Sequence, residues 1–550
     1  MKNLHFIILI SCCIFTANSQ SKYPTDFFSS PVDIKIAIAG TFGELRKNHF
    51  HSGIDIKTKQ KINVPIYAAQ DGYISRIKVS TYGFGKALYI NHLKDFTTVY
   101  AHLEKFSPEI QKIAEEKQYM QESFEVDFSP KKNKILVKKG QLIGFSGNTG
   151  SSTGPHLHFE IRDTKTQQII NPMLFGLPIL DRTNPIIKSI LIYHENGKKE
   201  IIKAHENTLG DYTISNTIKV QNSFNVGIET YDLLDAAPNK NGVYEIELFV
   251  NDTLFFHNKI TKFSFNETRY INSHIDYAYY QQHGIRFQKC FLEHNNYLST
   301  NQKSTNHQIG ELLESGTHNI KIIIKDSYQN KSSLEFTIEL HKETKTQLEK
   351  NKNIINSKQV FEFKNDDCEI YIPNHSLYKD HVFIYKQYTD SNMTYPIYKI
   401  LDDSIACHKS FIISIKDHNM DKKLRKKAVI GKIHNNQINC LKSQWKENKI
   451  ISKSNSFGAF TIVIDTIKPV IQAHEISNQS IQYIISDKLS GIKNYRAEID
   501  GKWILMEYDF KTGIIKHTFK EKPKGKSQHL TISVSDHTNN TEIINKTFFR

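Results

Sequence analysis

The sequence predicts a mostly β protein of several domains, and three observations carry that expectation. β-branched and aromatic residues are dense, with 33 Phe and 26 Tyr against only 14 Pro, a composition that favours strands over helices. Apolar and polar residues alternate along runs such as 319-NIKIIIKD-326 and 529-HLTISVSD-536, the period-two mark of a half-buried strand. At 550 residues the chain exceeds what one core can hold, so about three or four domains of roughly 100 to 200 residues are expected.

The N-terminal MKNLHFIILISCCIFTANSQ sets a lysine before an apolar run from Leu4 to Ala17, followed by the small residues of Ala17-Asn18-Ser19. That order fits a secretory signal peptide over residues 1–19 and an exported protein. The run is too short to span a membrane, and no later segment approaches the needed length. A lipoprotein box ending in Cys12 is the minor alternative, but it would leave an apolar run of only Leu4 to Ile10. Four cysteines remain beyond the signal, Cys290, Cys368, Cys407 and Cys440. They lack the C-x-x-C spacing of a thiolate zinc site, and an oxidising compartment could join them in one or two disulfides.

The formal charge of +15 points to anionic surroundings. Export argues against nucleic acid, and the densest basic run, Lys422 to Lys427, reads as a solvated face. Attraction to an acidic envelope polymer or membrane surface fits the charge as well, without specificity.

Residues 20–180 read as the first domain. Runs such as 64-VPIYAAQDGYISRIKV-79, 87-ALYINHL-93 and 97-TTVYAHL-103 are punctuated by glycines, which describes a compact antiparallel β domain. One segment breaks the pattern. Within an insert of about 107–134, 107-SPEIQKIAEEKQYMQESF-124 has the charge and spacing of a helix opened by Ser107-Pro108, read here as a surface helix able to act as a lid.

From Asp181 onward the strands lengthen. Thr183-Asn184-Pro185-Ile186-Ile187 resembles Thr466-Ile467-Lys468-Pro469-Val470-Ile471, and the strands ending at Asp326 and Asp536 run into similar turns. These weak repeats predict two immunoglobulin-like sandwiches, over 183–342 and 466–550. A third β-rich domain of unassigned type fills 343–465. None of the three segments clusters His, Asp, Glu or Cys at metal spacing along the sequence, so their expected role is structural or adhesive.

Chemistry concentrates in the first domain. In 156-HLHFEIRD-163 alternation puts His156, His158, Glu160 and Arg162 on one strand face and Leu157, Phe159 and Ile161 on the other. Upstream, His51-Ser-Gly-Ile-Asp55 places an imidazole and a carboxylate around a glycine turn, and His102 ends an apolar strand. Two histidines and an aspartate can bind Zn²⁺ and leave a fourth position open, as hydrolytic zinc sites do. Two further histidines then remain for proton transfer and oxyanion stabilisation.

The blocks His51-x-Gly53-x-Asp55, 64-VPIYAAQDG-72, 83-GFGKALYINH-92, 100-YAHL-103 and 138-KKGQLIGFSGNTGSSTGPHLHFEIR-162 together resemble the lysostaphin-type (LytM-like) peptidoglycan zinc endopeptidases in order and style. The resemblance covers roughly residues 40 to 175. It implies one Zn²⁺ per chain, held by His51, Asp55 and His158, with His102 and His156 acting on the attacking water or on the tetrahedral intermediate. Asn63 stands where the family usually has glycine. His49 is a neighbouring decoy that lacks the glycine two residues on, and His92 reads as structural.

The expectation is therefore an exported zinc metalloendopeptidase that cuts the stem-peptide cross-links of peptidoglycan in a periplasm or outer membrane. Its β sandwiches would position it and offer a surface to an envelope partner. The alternatives are a non-catalytic envelope scaffold or regulator of wall hydrolases, and a zinc protease acting on proteins. The bond cut and the oligomeric state are not legible in the sequence.

Overall fold

The computed structural model describes residues 23–208, 210–235, 237–304, 308–343, 353–417, 420–523 and 525–550. The signal-peptide reading and Cys12 lie outside the described residues. In the first domain the principal elements are β1 (Ile38–Gly40), β2 (Ile54–Lys57), β3 (Gly72–Val79), β4 (Lys86–His92), β5 (Phe96–Phe106), helix α1 (Pro108–Gln121), β6 (Leu142–Ser146) and β7 (His156–Asp163). They form an antiparallel sheet in the order β1-β2-β7-β5-β4-β3, with β6 pairing the far end of β5. Leu157, Phe159 and Ile161 of β7 and Ile54 and Ile56 of β2 are fully buried in one apolar core, as alternation requires.

The second face of β7 is buried too. His158, Glu160 and Arg162 are each no more than 5% exposed, so the strand carries a polar stack inside the protein. Part of its cover comes from the next domain, where Phe265 lies 4.7 Å under the Arg162 guanidinium. Phe265 opens a helical excursion, Phe265–Tyr270, Ile271–His274 and Tyr277–His283, that interrupts a sequence read as purely β. This segment packs on the His49–Phe50 strand, with the Phe50 and His274 rings 5.6 Å apart and Asn272 donating to Asn48 Oδ1 at 3.0 Å.

Helix α1 begins at Ser107-Pro108 as expected, but it is no lid over the histidines. Its apolar side, Ile110 and Ala114, is buried in the first domain's core. Its outer side meets the C-terminal domain through Tyr119 against Trp503 at 5.1 Å, Glu122 with Arg496 at 2.7 Å, and Glu115 with Lys520. The helix is a bracket between the two ends of the chain.

The remaining domains are two-sheet sandwiches, each around its own core. In the second, Ile186–His194 and Phe224–Leu234 face Glu245–Val250, Gly316–Lys325 and Lys331–His341. The third pairs two five-stranded sheets and the last two four-stranded sheets. The disulfides that an oxidising compartment would allow are absent among the described residues. All four cysteines are free thiols, and burial pushes Cys290, Cys368 and Cys407 up to about 12, so they pack as small apolar groups.

Candidate metal centre and active site

Three neighbouring strands bring the motif residues together. Antiparallel pairing sets His158 opposite Asp55 on β2 and opposite Ala101 on β5. Gly53 makes the turn from His51 to Asp55 possible, because a Cβ there would lie 2.4 Å from the Phe159 carbonyl oxygen. Only glycine lets the chain pass that close to β7.

His51 Nε2, Asp55 Oδ1 and His158 Nδ1 converge, with separations of 2.9 Å from the carboxylate to each nitrogen and 3.1 Å between the nitrogens. Each ring is held from behind by an acceptor. His51 Nδ1–H donates to the Thr41 carbonyl at 2.8 Å, and His158 Nε2–H donates to Glu160 Oε1 at 3.1 Å. With those protons fixed on the far side, each ring in its neutral form presents a lone pair to the same point as the carboxylate. Such a donor set demands a cation. Two imidazole nitrogens and one carboxylate oxygen match zinc. Tetrahedral ligands about 2.05 Å from zinc stand about 3.3 Å apart, so each needs to move outward by only a few tenths of an ångström.

Electrostatics keep the set ready. Burial opposes charge on Asp55, yet His51, His156 and His158 hold its carboxyl well below the usual carboxylate range, and Arg46 Nη2 donates to its second oxygen at 3.0 Å. Burial likewise opposes charge on Glu160, but Arg162 and His158 bring it down to about 2. Between these carboxylates, and against the effect of its own burial, His158 is raised to about 9. Cation binding at Nδ1 therefore displaces a proton.

His102 and His156 flank the triad. His102 is not at the end of its strand, as the apolar run before it implied. It sits inside β5 at a bulge, where the register against β4 shifts, with φ of +59°. A left-handed histidine costs conformational energy, and such strain gathers where a side chain is re-aimed. Nδ1–H of His102 donates to the Thr149 carbonyl at 2.8 Å, which leaves Nε2 as an acceptor. Burial, with His158 and His156 adding, lowers its pKa to about 3. His156 Nδ1–H donates to the Gly154 carbonyl at 2.8 Å, while Nε2 lies 3.3 Å from Asp55 Oδ1. The His102 and His156 ring centres are 4.9 Å apart.

The other residues fall as the sequence suggested. His49 is exposed beside the cleft, outside the triad. His92 is a buried structural residue, bonded to the Asp71 carbonyl at 2.9 Å and to Thr98 at 2.7 Å. Asn63 adopts φ of +66°, so it keeps the left-handed turn that a glycine would make. Sequence reasoning missed Glu160, Arg162 and Arg46 as supports of the triad. The alternation of β7 did put Glu160 and Arg162 on the histidine face, and only the burial of that face was hidden.

The triad floors a cleft of about 1040 Å³ whose walls include Phe84, Lys57, Lys59 and Thr153. Asn239 and Lys240 of the second domain close one side. On another flank, the C-terminal domain touches the loop that leads to His156, through Lys511 to the Ser152 carbonyl at 3.3 Å, and the turn between β3 and β4, through Phe510 against Tyr82 at 4.5 Å.

Comparison with known proteins follows the same boundaries. The Peptidase family M23 model matches residues 49–121 and 112–172, and a Zu5-like domain model matches residues 352–465, within the segment whose type the sequence left unassigned. The DD-carboxypeptidase/endopeptidase Mpg of Neisseria meningitidis serogroup B is 35% identical over 133 residues, covering 24% of this chain and 24% of that protein. Peptidoglycan DD-endopeptidase ShyB of Vibrio cholerae is 34% identical over 156 residues, 28% of this chain and 30% of that one. The catalytic domain of the antimicrobial peptidase lysostaphin from Staphylococcus simulans shares 26% identity over 26% of this chain and 92% of that chain, with a TM-score of 0.20. The chain spans about a quarter of the length of a curated relative such as Mpg. Residues 49–172 form a Peptidase family M23 domain, and with it the N-terminal third of the chain belongs to that family of zinc metallopeptidases.

Proposed function

We propose that the chain is an exported zinc metalloendopeptidase that hydrolyses peptide cross-links of peptidoglycan, and that His51, Asp55 and His158 hold the metal. The observation that carries this reading is the convergence of two imidazole lone pairs and a carboxylate within 3.1 Å on the floor of an open cleft. Zinc held there supplies Lewis-acid activation of water and of the scissile carbonyl. His102 Nε2, an acceptor by virtue of the Thr149 bond, takes the proton of the attacking water. His156, held through Nδ1 by Gly154, turns Nε2 toward the metal ligands, where it would donate to the developing oxyanion once that nitrogen has itself taken a proton.

Lysines on the cleft rim, Lys57, Lys59 and Lys240, suit a substrate rich in carboxylates, as stem peptides are. The relatives named peptidoglycan endopeptidases supply the substrate class, and the periplasm or outer membrane is the compartment where that substrate lies. Residues 20–180 are the catalytic unit. The segments 183–342 and 466–550 are immunoglobulin-like supports, and with 343–465 they hold the enzyme in the envelope and offer surfaces to a partner protein there. The test offers the mature, zinc-loaded chain purified cross-linked muropeptide dimers beside a set of unfolded proteins. Conversion of dimers to monomers with the proteins left intact supports the wall substrate; cleavage of the proteins alone overturns it in favour of a general protease.

A further inference from the structure

Three aspartates meet where the M23 domain joins the sandwich that follows. Asp181 lies in the linker, Asp232 near the end of Phe224–Leu234 and Asp326 just beyond Gly316–Lys325. One carboxylate oxygen from each lies within 4.8 Å of the others. All three are buried, Asp181 at 7% exposure and the other two at 2%.

Their partners are too few for their charge. Asp326 is satisfied by the N–H groups of Tyr328 and Asn330, at 2.8 and 2.9 Å, and by Asn330 Nδ2 at 2.6 Å. Asp181 Oδ1 accepts from the Thr183 N–H at 3.1 Å, but Asp181 Oδ2 and Asp232 Oδ1 are buried with no hydrogen-bond partner, and so is the Tyr328 hydroxyl. Among the described residues no lysine or arginine pairs with the cluster. Arg182, next in sequence to Asp181, pairs with Asp235 at 2.9 Å. Burial, with neighbouring carboxylates adding, pushes Asp181 up to about 7 and Asp232 up to about 8. Carboxylates this close and this dry require protons or a cation between them.

The last sandwich repeats the arrangement and shows what is peculiar to the first. Asp465, Asp487 and Asp536 cluster in the same way, and Asn540 Nδ2 bonds Asp536 Oδ2 at 2.6 Å just as Asn330 bonds Asp326. There the linker aspartate is satisfied at both oxygens, by the N–H groups of Ile467 at 3.1 Å and Ser490 at 3.0 Å, and Asp487 Oδ2 is the one buried carboxylate oxygen left without a partner, against Asp181 Oδ2 and Asp232 Oδ1 in the first cluster. At Asp181 one of those donors is missing, and Oδ2 is left buried without a partner.

We propose that Asp181, Asp232 and Asp326 form a calcium site that fastens the M23 domain to the following sandwich. An all-oxygen set of carboxylates selects a hard cation, and three oxygens that all lie within 4.8 Å of one another suit calcium, whose ligands stand about 2.3 to 2.6 Å away in flexible geometry, whereas magnesium demands a tighter octahedron. The site has a mechanical route to the cleft. Asp232 pairs across the sheet with Asn241, at the end of the Ala237–Asn241 strand, and Asn239 and Lys240 of that strand form a cleft wall. Calcium at the joint fixes that wall against the histidines.

The experiment uses the full mature chain with zinc in place and calcium removed. Calorimetric titration with calcium chloride, and separately magnesium chloride, is paired with thermal melts and with terbium luminescence excited through tyrosine, for which Tyr328 stands at the site. The proposal expects one calcium per chain, a rise in Tm with calcium and little with magnesium, and terbium emission that calcium quenches. Asp232→Asn removes all three responses while melting no lower than the wild type in calcium-free buffer, and Asp487→Asn keeps them. The proposal is overturned if the wild type shows neither heat nor a Tm shift with calcium, which assigns the cluster to shared protons, or if Asp232→Asn binds calcium as the wild type does. It is overturned equally if the response vanishes in Asp487→Asn and persists in Asp232→Asn.

Discussion

Replacing Glu160 with glutamine tests whether the buried stack on β7 sets the metal affinity. Glu160 is fully buried, accepts from His158 Nε2–H at 3.1 Å and from Arg162 Nε at 2.7 Å. A glutamine of the same shape has one acceptor oxygen for two donors, and its NH₂ group must face either His158 or Arg162. If it faces His158, the ring is driven to the tautomer with its proton on Nδ1, where the metal belongs. Loss of such an outer partner costs about 10- to 100-fold in metal affinity, or about 1.4 to 2.8 kcal/mol. Arg162, only 5% exposed, also loses its counter-charge, and an unpaired buried charge costs about 3 to 5 kcal/mol of folding stability. Zinc competition against a chromophoric chelator reads the first effect and thermal melting the second, with activity at saturating zinc largely restored. Zinc affinity within twofold of the wild type would refute the reasoning that Glu160 fixes the His158 tautomer.

Other perturbations have equally definite outcomes. Gly53→Ala places a methyl 2.4 Å from the Phe159 carbonyl; a destabilisation of about 1 to 3 kcal/mol together with weakened zinc binding is expected, measured by melting and by metal content after dialysis. His102→Ala should keep one zinc per chain yet lose about 10²- to 10⁴-fold in kcat, and loss of the metal instead would show that His102 is structural. His92, bonded deep in the fold, has its pKa lowered to about 4 by burial despite its carbonyl partners. The folded state therefore takes up its proton later than the unfolded chain, whose histidine titrates near 6.5. Stability from this group is complete above about pH 6.5 and is lost as pH falls toward about 4, by roughly 3 kcal/mol at most. Melting across that range should show the decline, with a shallower slope in His92→Gln.

Much of the site was legible because its chemistry is local in sequence. His51 and Asp55 lie around one obligatory glycine, and His156 and His158 lie on one strand, so spacing made them candidates, while the choice of His51, Asp55 and His158 as ligands rested on the resemblance to the lysostaphin-type endopeptidases. What supports them was not legible, since it comes from distant chain. Alternation put Glu160 beside His158 but could not show that Phe265, from a helical excursion in the next domain, seals that face. The same limit applies to α1, whose start at Ser107-Pro108 was readable while its outer partners, Trp503 and Arg496, lie in another domain. His102 was placed at a strand end because it closes an apolar run, and only pairing with β4 reveals the bulge in the strand there. The sandwich aspartates stood apart in sequence, and the fold brought them together.

The central claim is best tested by muropeptide release from purified peptidoglycan sacculi by the mature chain, with and without chelator, beside the His158→Ala variant. New uncross-linked products from the zinc-loaded chain, absent with chelator and absent in His158→Ala, are the predicted result, and their masses name the bond cut. Release that persists in His158→Ala, or no release from a chain holding one zinc, would contradict the account.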